Sequence, residues 1–169
     1  SLESQKGLLD YKGPNRKDHT YTSKNIRDIK YKYDKSGNLT TREVSNTAGD
    51  QIEKESFRYN SGNKITDYFR YNDNGKLSSM ERYTYDANGL LTESAGLDPS
   101  GKAVSRLVYK YNNYGMLAEK IWINMNGEIN GRYIYNYDNN NNLKEEIKYR
   151  GENEKENRIE YYYDINGNI

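Results

Sequence analysis

The sequence predicts an all-β fold: an antiparallel β-meander of tandem 26-residue, two-turn repeats, forming a twisted or curled sheet. Three observations predict it. First, Tyr followed by Asp or Asn recurs at Tyr33-Asp34, Tyr59-Asn60, Tyr85-Asp86, Tyr111-Asn112, Tyr137-Asp138 and Tyr163-Asp164, and each step equals 59 − 33 = 26. Self-similarity at a fixed period is the mark of a repeat architecture. Second, another aromatic stands two positions earlier, at Tyr31, Phe57, Tyr83, Tyr109, Tyr135 and Tyr161, so the segment alternates as a half-buried strand does. Third, Gly37, Gly89, Gly115 and Gly167 follow the Asp or Asn by three positions. Asx side chains bond nearby backbone amides and Gly supplies positive φ, so this spacing marks a tight turn.

Each element of the unit follows from that reading. Leu39, Ile65, Leu91, Leu117, Leu143 and Ile169 open the strand after the turn. Asn63 and Asn141 take the glycine slot in the second and fifth units, where Asn is the next best left-handed residue; Gly62 comes one position early. A second turn lies midway, at Gly49, Gly75, Gly101 and Gly127, with Asn153 in the fifth place. Turns 12 and then 14 residues apart predict about eleven strands of roughly six residues. Of the 19 tyrosines only Tyr68, Tyr114 and Tyr162 are even-numbered. Strand side chains alternate between faces, so parity predicts a Tyr/Leu/Ile-rich odd face and a polar even face. Residues 1–22 do not fit the repeat and read as an irregular cap or lead; residues 23–169 form the repeat domain, expected to be part of a longer array.

Composition narrows the function. Mean hydropathy is -1.22, but the tyrosines bury large rings that such scales score as polar. A net charge of +1 removes the electrostatic footprint of a nucleic-acid binder. No apolar run approaches the roughly 20 residues of a membrane span. Cysteine is absent, so no disulfide framework or thiolate metal site is expected. His19 is the single histidine and has no visible partners for a triad or a zinc site. No catalytic residue, metal or cofactor is expected. Repeat surfaces are extended and quasi-one-dimensional, which also favours a non-enzyme.

Tyr31-Lys32-Tyr33-Asp34-Lys35-Ser36-Gly37-Asn38-Leu39, the segment Tyr83 to Leu91, and the segment Tyr161 to Ile169 resemble the YD repeat of the rearrangement-hotspot and teneurin families. The resemblance covers roughly Ile29 to Ile169. It implies a long β-sheet that coils into a hollow shell, at cell surfaces or in secreted toxins. The constant 26-residue period is longer than the family's usual one, and six copies fall short of a closed shell.

Candidate sites follow from residue chemistry. The ladder Tyr31, Tyr33, Phe57, Tyr59, Tyr83, Tyr85, Tyr109, Tyr111, Tyr135, Tyr137, Tyr161 and Tyr163 reads as core, where aromatic cross-strand pairs stabilise a sheet. Trp122, Tyr68 and Tyr162 are even-numbered, so parity puts them on the polar face as binding residues. The alternative for Trp122 is a local bulge that turns it inward. Asp67, Glu93, Glu119 and Glu145 form an acidic column; paired carboxylates suit glycoside hydrolysis, but a column repeated in each unit reads as structural, bonded to Tyr hydroxyls or to Arg106, Arg132 and Arg158. The functional expectation is an exported, non-catalytic interaction module, cell-surface or extracellular, presenting a β-surface to a protein or glycan. The alternatives are a structural spacer or shell segment, and, less favoured, a carbohydrate-active enzyme. Unpaired sheet edges predict self-association or a covered end.

Overall fold

The computed structural model describes residues 26–164 and 167–168, with the side chains of Ile26 and Arg27 set aside. The proposed N-terminal cap, His19 and Ile169 lie outside the described residues. Eleven strands follow one another: β1 (Ile26–Tyr33), β2 (Leu39–Asn46), β3 (Gln51–Tyr59), β4 (Ile65–Tyr71), β5 (Leu77–Tyr85), β6 (Leu91–Leu97), β7 (Ala103–Tyr111), β8 (Leu117–Asn124), β9 (Ile129–Tyr137), β10 (Leu143–Arg150) and β11 (Glu154–Glu160). Their order in space is their order in sequence, in one antiparallel sheet that does not close into a barrel. Among the described residues there is no helix, and so none long and apolar enough to cross a membrane. The strands run 7 to 9 residues, longer than the six expected, because the aromatic pairs and the Leu/Ile positions are themselves laddered.

The turns explain the regularity. At the first, the Asp34 amide donates to the Asn38 carbonyl (2.9 Å) and the Gly37 amide to the Asp34 carbonyl (3.1 Å). Asp34 Oδ1 accepts the amides of Ser36 and Asn38. This is a three-residue hairpin loop that ends on a left-handed residue. Gly37 has φ 82, and the substitutes Asn63 and Asn141 take the same conformation at φ 58 and 66. The mid-unit turns use the same bonds: Asn46 Oδ1 accepts the amides of Ala48 and Asp50 (both 2.9 Å), with Gly49 at φ 92. Asn72, Asp98 and Asn124 repeat it. The fifth mid-unit turn is a correction: Gly151 takes positive φ (58) and Arg150 pairs with Glu154, so Asn153 does not fill the slot.

The register overturns the parity rule. Tyr33 pairs with Leu39 but Lys32 pairs with Thr41, so Thr40 is an extra residue. Thr66, Ser78, Thr92, Val104, Ala118, Asn130 and Lys144 are extra in the same way. Three of these hydroxyls, on Thr40, Ser78 and Thr92, donate to the carbonyl across the bulge, each at 3.1 Å. An extra residue reverses which parity faces which side. Tyr31 therefore stands opposite Arg42, Phe57 opposite Tyr68, and Leu107 opposite Trp122. The tyrosine face takes odd numbers on odd strands and even numbers on even strands. The other face carries its own apolar stripe, Phe69–Met80–Leu97 and Val108–Ile121.

A single layer has little interior. Val44, Ser94, Glu55 and Tyr109 are buried on the tyrosine face, and Ala95, Leu97, Ile121 and Asp67 on the other. All substantial contacts join consecutive strands. The two edges are exposed: β1 presents Ile29, Tyr31 and Tyr33, and β11 presents Glu154, Lys155, Glu156, Arg158 and Glu160, charges of the kind that discourage edge pairing.

The left-handed turn positions are testable. A Cβ at Gly75 would meet nothing within 4 Å, so Gly75→Ala costs only the conformational strain of φ 71, about 1–2 kcal/mol in urea unfolding. Asn141→Gly should stay within about 0.5 kcal/mol of the parent, because Asn already tolerates that conformation.

Candidate functional site

The motif tyrosine is a cross-turn tie. Tyr59 Oη donates to the Leu39 carbonyl, and Tyr85, Tyr111, Tyr137 and Tyr163 donate to the carbonyls of Ile65, Leu91, Leu117 and Leu143, all at 2.8–2.9 Å. Each bond reaches back 20 residues, from the end of one hairpin to the start of the strand before it. The Leu/Ile carbonyl lies beside the bulge, where the ladder is interrupted, so the phenol supplies a bond that the sheet withholds. Burial raises the hydroxyl pKa of Tyr85, Tyr111 and Tyr137 above the usual value and keeps them as donors.

The aromatic two positions earlier packs within the face. Phe57 stacks on Tyr68 (5.2 Å between centroids, 24°), and Tyr133 stacks on Tyr135 (6.4 Å). Tyr109 is only 7% exposed. The ladder is thus mostly half-buried, but Tyr31 and Tyr33 on the edge strand are exposed.

Tyr68 lies on the tyrosine face, not the polar side, and is held in a charged network. Its hydroxyl donates to buried Glu55 and accepts from Arg70 Nη2 (3.2 Å). Arg42 bridges Glu53 (2.7 Å) and Glu55 (3.2 Å). Burial, then the bond to Glu55, pushes the Tyr68 pKa up to about 12. Arg42, Glu53 and Glu55 were missed in the sequence, since only the bulge brings the even residues of β2 and β4 to this face. The acidic column pairs with arginine: Asp67–Arg82 (3.0 Å), Glu93–Arg106 (3.7 Å), Glu119–Arg132 (3.5 Å) and Glu145–Arg158.

Trp122 is also on the tyrosine face, contrary to parity, and is 50% exposed. It stands between Leu107 and Gly131 in the cross-strand row; the next row is Tyr109–Lys120–Tyr133. Gly131 offers no side chain to cover the indole. Tyr162 follows β11 and is 76% exposed, with its hydroxyl donating to Glu160 (3.1 Å). It lies far along the sheet from Trp122, and Tyr68 lies four strands away on the other side, so the three do not form one site.

Two grooves of about 450 and 460 Å³ lie between successive YD-type turns, one flanked by Asp34 and Asn63, the other by Asn112 and Asn141. Their lining residues are equivalent, offset by 141 − 63 = 78, three repeats. Between the second and third turns the same space is filled: Lys64 Nζ sits 5.3 Å from the Tyr85 ring centroid and donates to the Gly89 carbonyl. Among the described residues no group of His, Asp or Glu converges to hold a metal.

The fold and its turn chemistry define an all-β tandem-repeat protein. No family model matches the chain, and no curated protein matches it. Solved structures give weak likenesses. A porin-like protein from Bacteroides uniformis aligns at 20% identity over 72% of this chain, with a TM-score of 0.41. A TcdB2-TccC3 complex aligns at 11% identity over 83%, with a TM-score of 0.29, and a protein of unknown function from Bacteroides fragilis at 15% over 80%, with a TM-score of 0.31. The chain spans 48% of the porin-like protein's length, 10% of the TcdB2-TccC3 chain and 93% of the Bacteroides fragilis protein. At these TM-scores the likenesses add nothing to a fold that rests on strand order and register.

Two measurements check the tyrosine assignments. Tyr85→Phe removes only the bond to Ile65 and should cost about 1 kcal/mol, whereas Tyr109→Ala removes a buried ring and should cost about 3 kcal/mol or more. The raised Tyr68 pKa stabilises the folded state fully below pH 10.0, and that contribution is lost as pH rises towards about 12. Alkaline unfolding followed by phenolate absorbance should show this loss, and Tyr68→Phe should remove its share.

Proposed function

We propose that the chain is a YD-type repeat segment acting as an exported, non-catalytic interaction module, with the tyrosine face around Trp122 receiving a protein or glycan. One observation carries this reading: the only tryptophan stands half exposed at mid-sheet, with a glycine beside it. A large exposed aromatic costs solvation unless it meets a partner, and Trp dominates binding hot spots. The YD assignment rests on the turn and strand residues, whose Asp or Asn, Gly and Tyr each perform a separate bond in the unit.

A second reading, a structural spacer or shell segment, draws support from the five tyrosine ties, which suit stiffness as well as presentation. Glycoside hydrolysis has less support, because each carboxylate of the acidic column is committed to an arginine. Self-association through the β11 edge is disfavoured by its charges, which leaves the β1 edge, with exposed Ile29, Tyr31 and Tyr33, as the one open to pairing.

Trp122 makes its own probe. Its fluorescence should shift on titration with the bound class from a glycan or protein panel; binding should disappear in Trp122→Ala and persist in Tyr162→Ala. A panel without ligand, or binding indifferent to Trp122, returns the protein to the spacer reading.

A further inference from the structure

We infer that the Trp122 surface receives a pyranose glycan carrying a carboxylate, such as a uronic acid; this rests on the interaction-module reading and names its ligand. The argument starts from charge. The chain has 26 basic and 25 acidic residues, so about three residues in ten are charged, and most faces of the sheet show them. The tyrosine face of β6 to β9 does not. Its polar groups are Ser94, Ser105, Asn124, Tyr109 and Tyr133, and its single charge is Lys120. The opposite face of the same strands carries the ion pairs Glu93–Arg106 and Glu119–Arg132. The carboxylates nearest this patch are Glu128 in the turn between β8 and β9, which accepts from the Asn124 side-chain amide (2.9 Å), Glu81 on β5, engaged by the Tyr83 hydroxyl, and Glu146 on β10.

Lys120 makes no ion pair among the described residues, and its ammonium lies 6.0 Å from the Tyr109 ring centroid. Of the next cations on this face, Lys148 pairs with Glu156, and Arg150 with Glu156 and Glu154. Lys120 and Trp122 stand two residues apart on one strand, so the ammonium and the indole lie about 7 Å apart at their roots on one face. A sugar ring flat on the indole places an equatorial substituent towards Lys120, and hydroxyls of Ser, Asn and Tyr suit the remaining positions. One cation selects one carboxylate; a densely sulfated glycan needs several. A peptide would add to the sheet at an edge, and Trp122 lies three strands from β11.

The full chain is titrated, by Trp122 fluorescence and calorimetry, with glucuronate-containing oligosaccharides, their neutral glucose counterparts, a heavily sulfated oligosaccharide and a poly-glutamate peptide. The uronate should bind at least about tenfold tighter than the neutral sugar, the gain of one charge-assisted hydrogen bond. Lys120→Gln should erase that preference, so that uronate and neutral sugar bind alike; added salt should erode the preference in the parent alone. Equal binding of uronate and neutral sugar overturns the inference and leaves the module reading standing. Preference for the sulfated sugar or the peptide overturns it too. Absence of any glycan binding removes the glycan arm of the module reading and this inference with it. Lys120→Gln is at a half-buried surface position and should fold; Lys120→Arg, which keeps the charge, should retain the preference and serves as the second variant.

Discussion

The tyrosine hydroxyl that reaches back to the Leu/Ile carbonyl is the constraint on which the unit depends. A hairpin that closes on a left-handed residue and then bulges leaves the strand start short of a ladder bond. The phenol of the next odd strand supplies that bond and does so once per 26 residues. Each such bond contributes only about 1 kcal/mol net, but leaving a carbonyl unmet there costs as much or more. Each tie spans the same 20 residues, from the start of one strand to the turn end of the next. The 26-residue step from Tyr59 to Tyr163 repeats that tie in phase.

The same bulges explain what the sequence concealed. Strand number, order and turn positions were legible because Asx, Gly and aromatic residues act locally and repeat in phase. The left-handed Asn63 and Asn141 were legible for the same reason. The face of each side chain was not. Alternation of odd and even numbers is meaningful only along an uninterrupted strand, and a bulge changes the count without leaving a residue signature stronger than Thr or Ser. Trp122 and Tyr68 were therefore assigned to the wrong face, and the Arg42–Glu55–Tyr68 network was invisible. The bulged alternative for Trp122 expected a local bulge that turns the indole inward; the bulges recur through the hairpins, and Trp122 stays 50% exposed. Asn153 misled because the fifth mid-unit turn lacks the Asx residue that starts the others: Arg150 stands where Asn46, Asn72, Asp98 and Asn124 do.

A one-layer sheet raises the question of what replaces the second layer. Long cationic side chains do. Arg58 lies over Phe69 (4.9 Å), Arg132 over Tyr149 (4.7 Å), Arg70 over Tyr68 (5.7 Å) and Lys54 over Tyr71 (5.6 Å). Their stems cover apolar surface, and carboxylates on neighbouring strands pair with two of them, Lys54 and Arg132. The high charge content and low hydropathy of the chain are the composition such a cover requires, and they do not signal disorder here.

This cover also says where binding is cheapest to evolve. Wherever Arg or Lys lies over an aromatic and meets a carboxylate, a ligand must displace both to reach the ring. At β6 to β9 the cover lapses: Gly96 and Gly131 present no side chain, Lys120 has no acidic partner, and the indole of Trp122 stands exposed. Departures from a repeat's consensus are neutral if they merely vary the surface. Here four adjacent strands carry a single charge, Lys120, on one face, around the chain's only tryptophan, while the opposite face keeps its ion pairs. Under the proposed function, a ligand that stacks on the exposed Trp122 is what such a one-sided surface would serve.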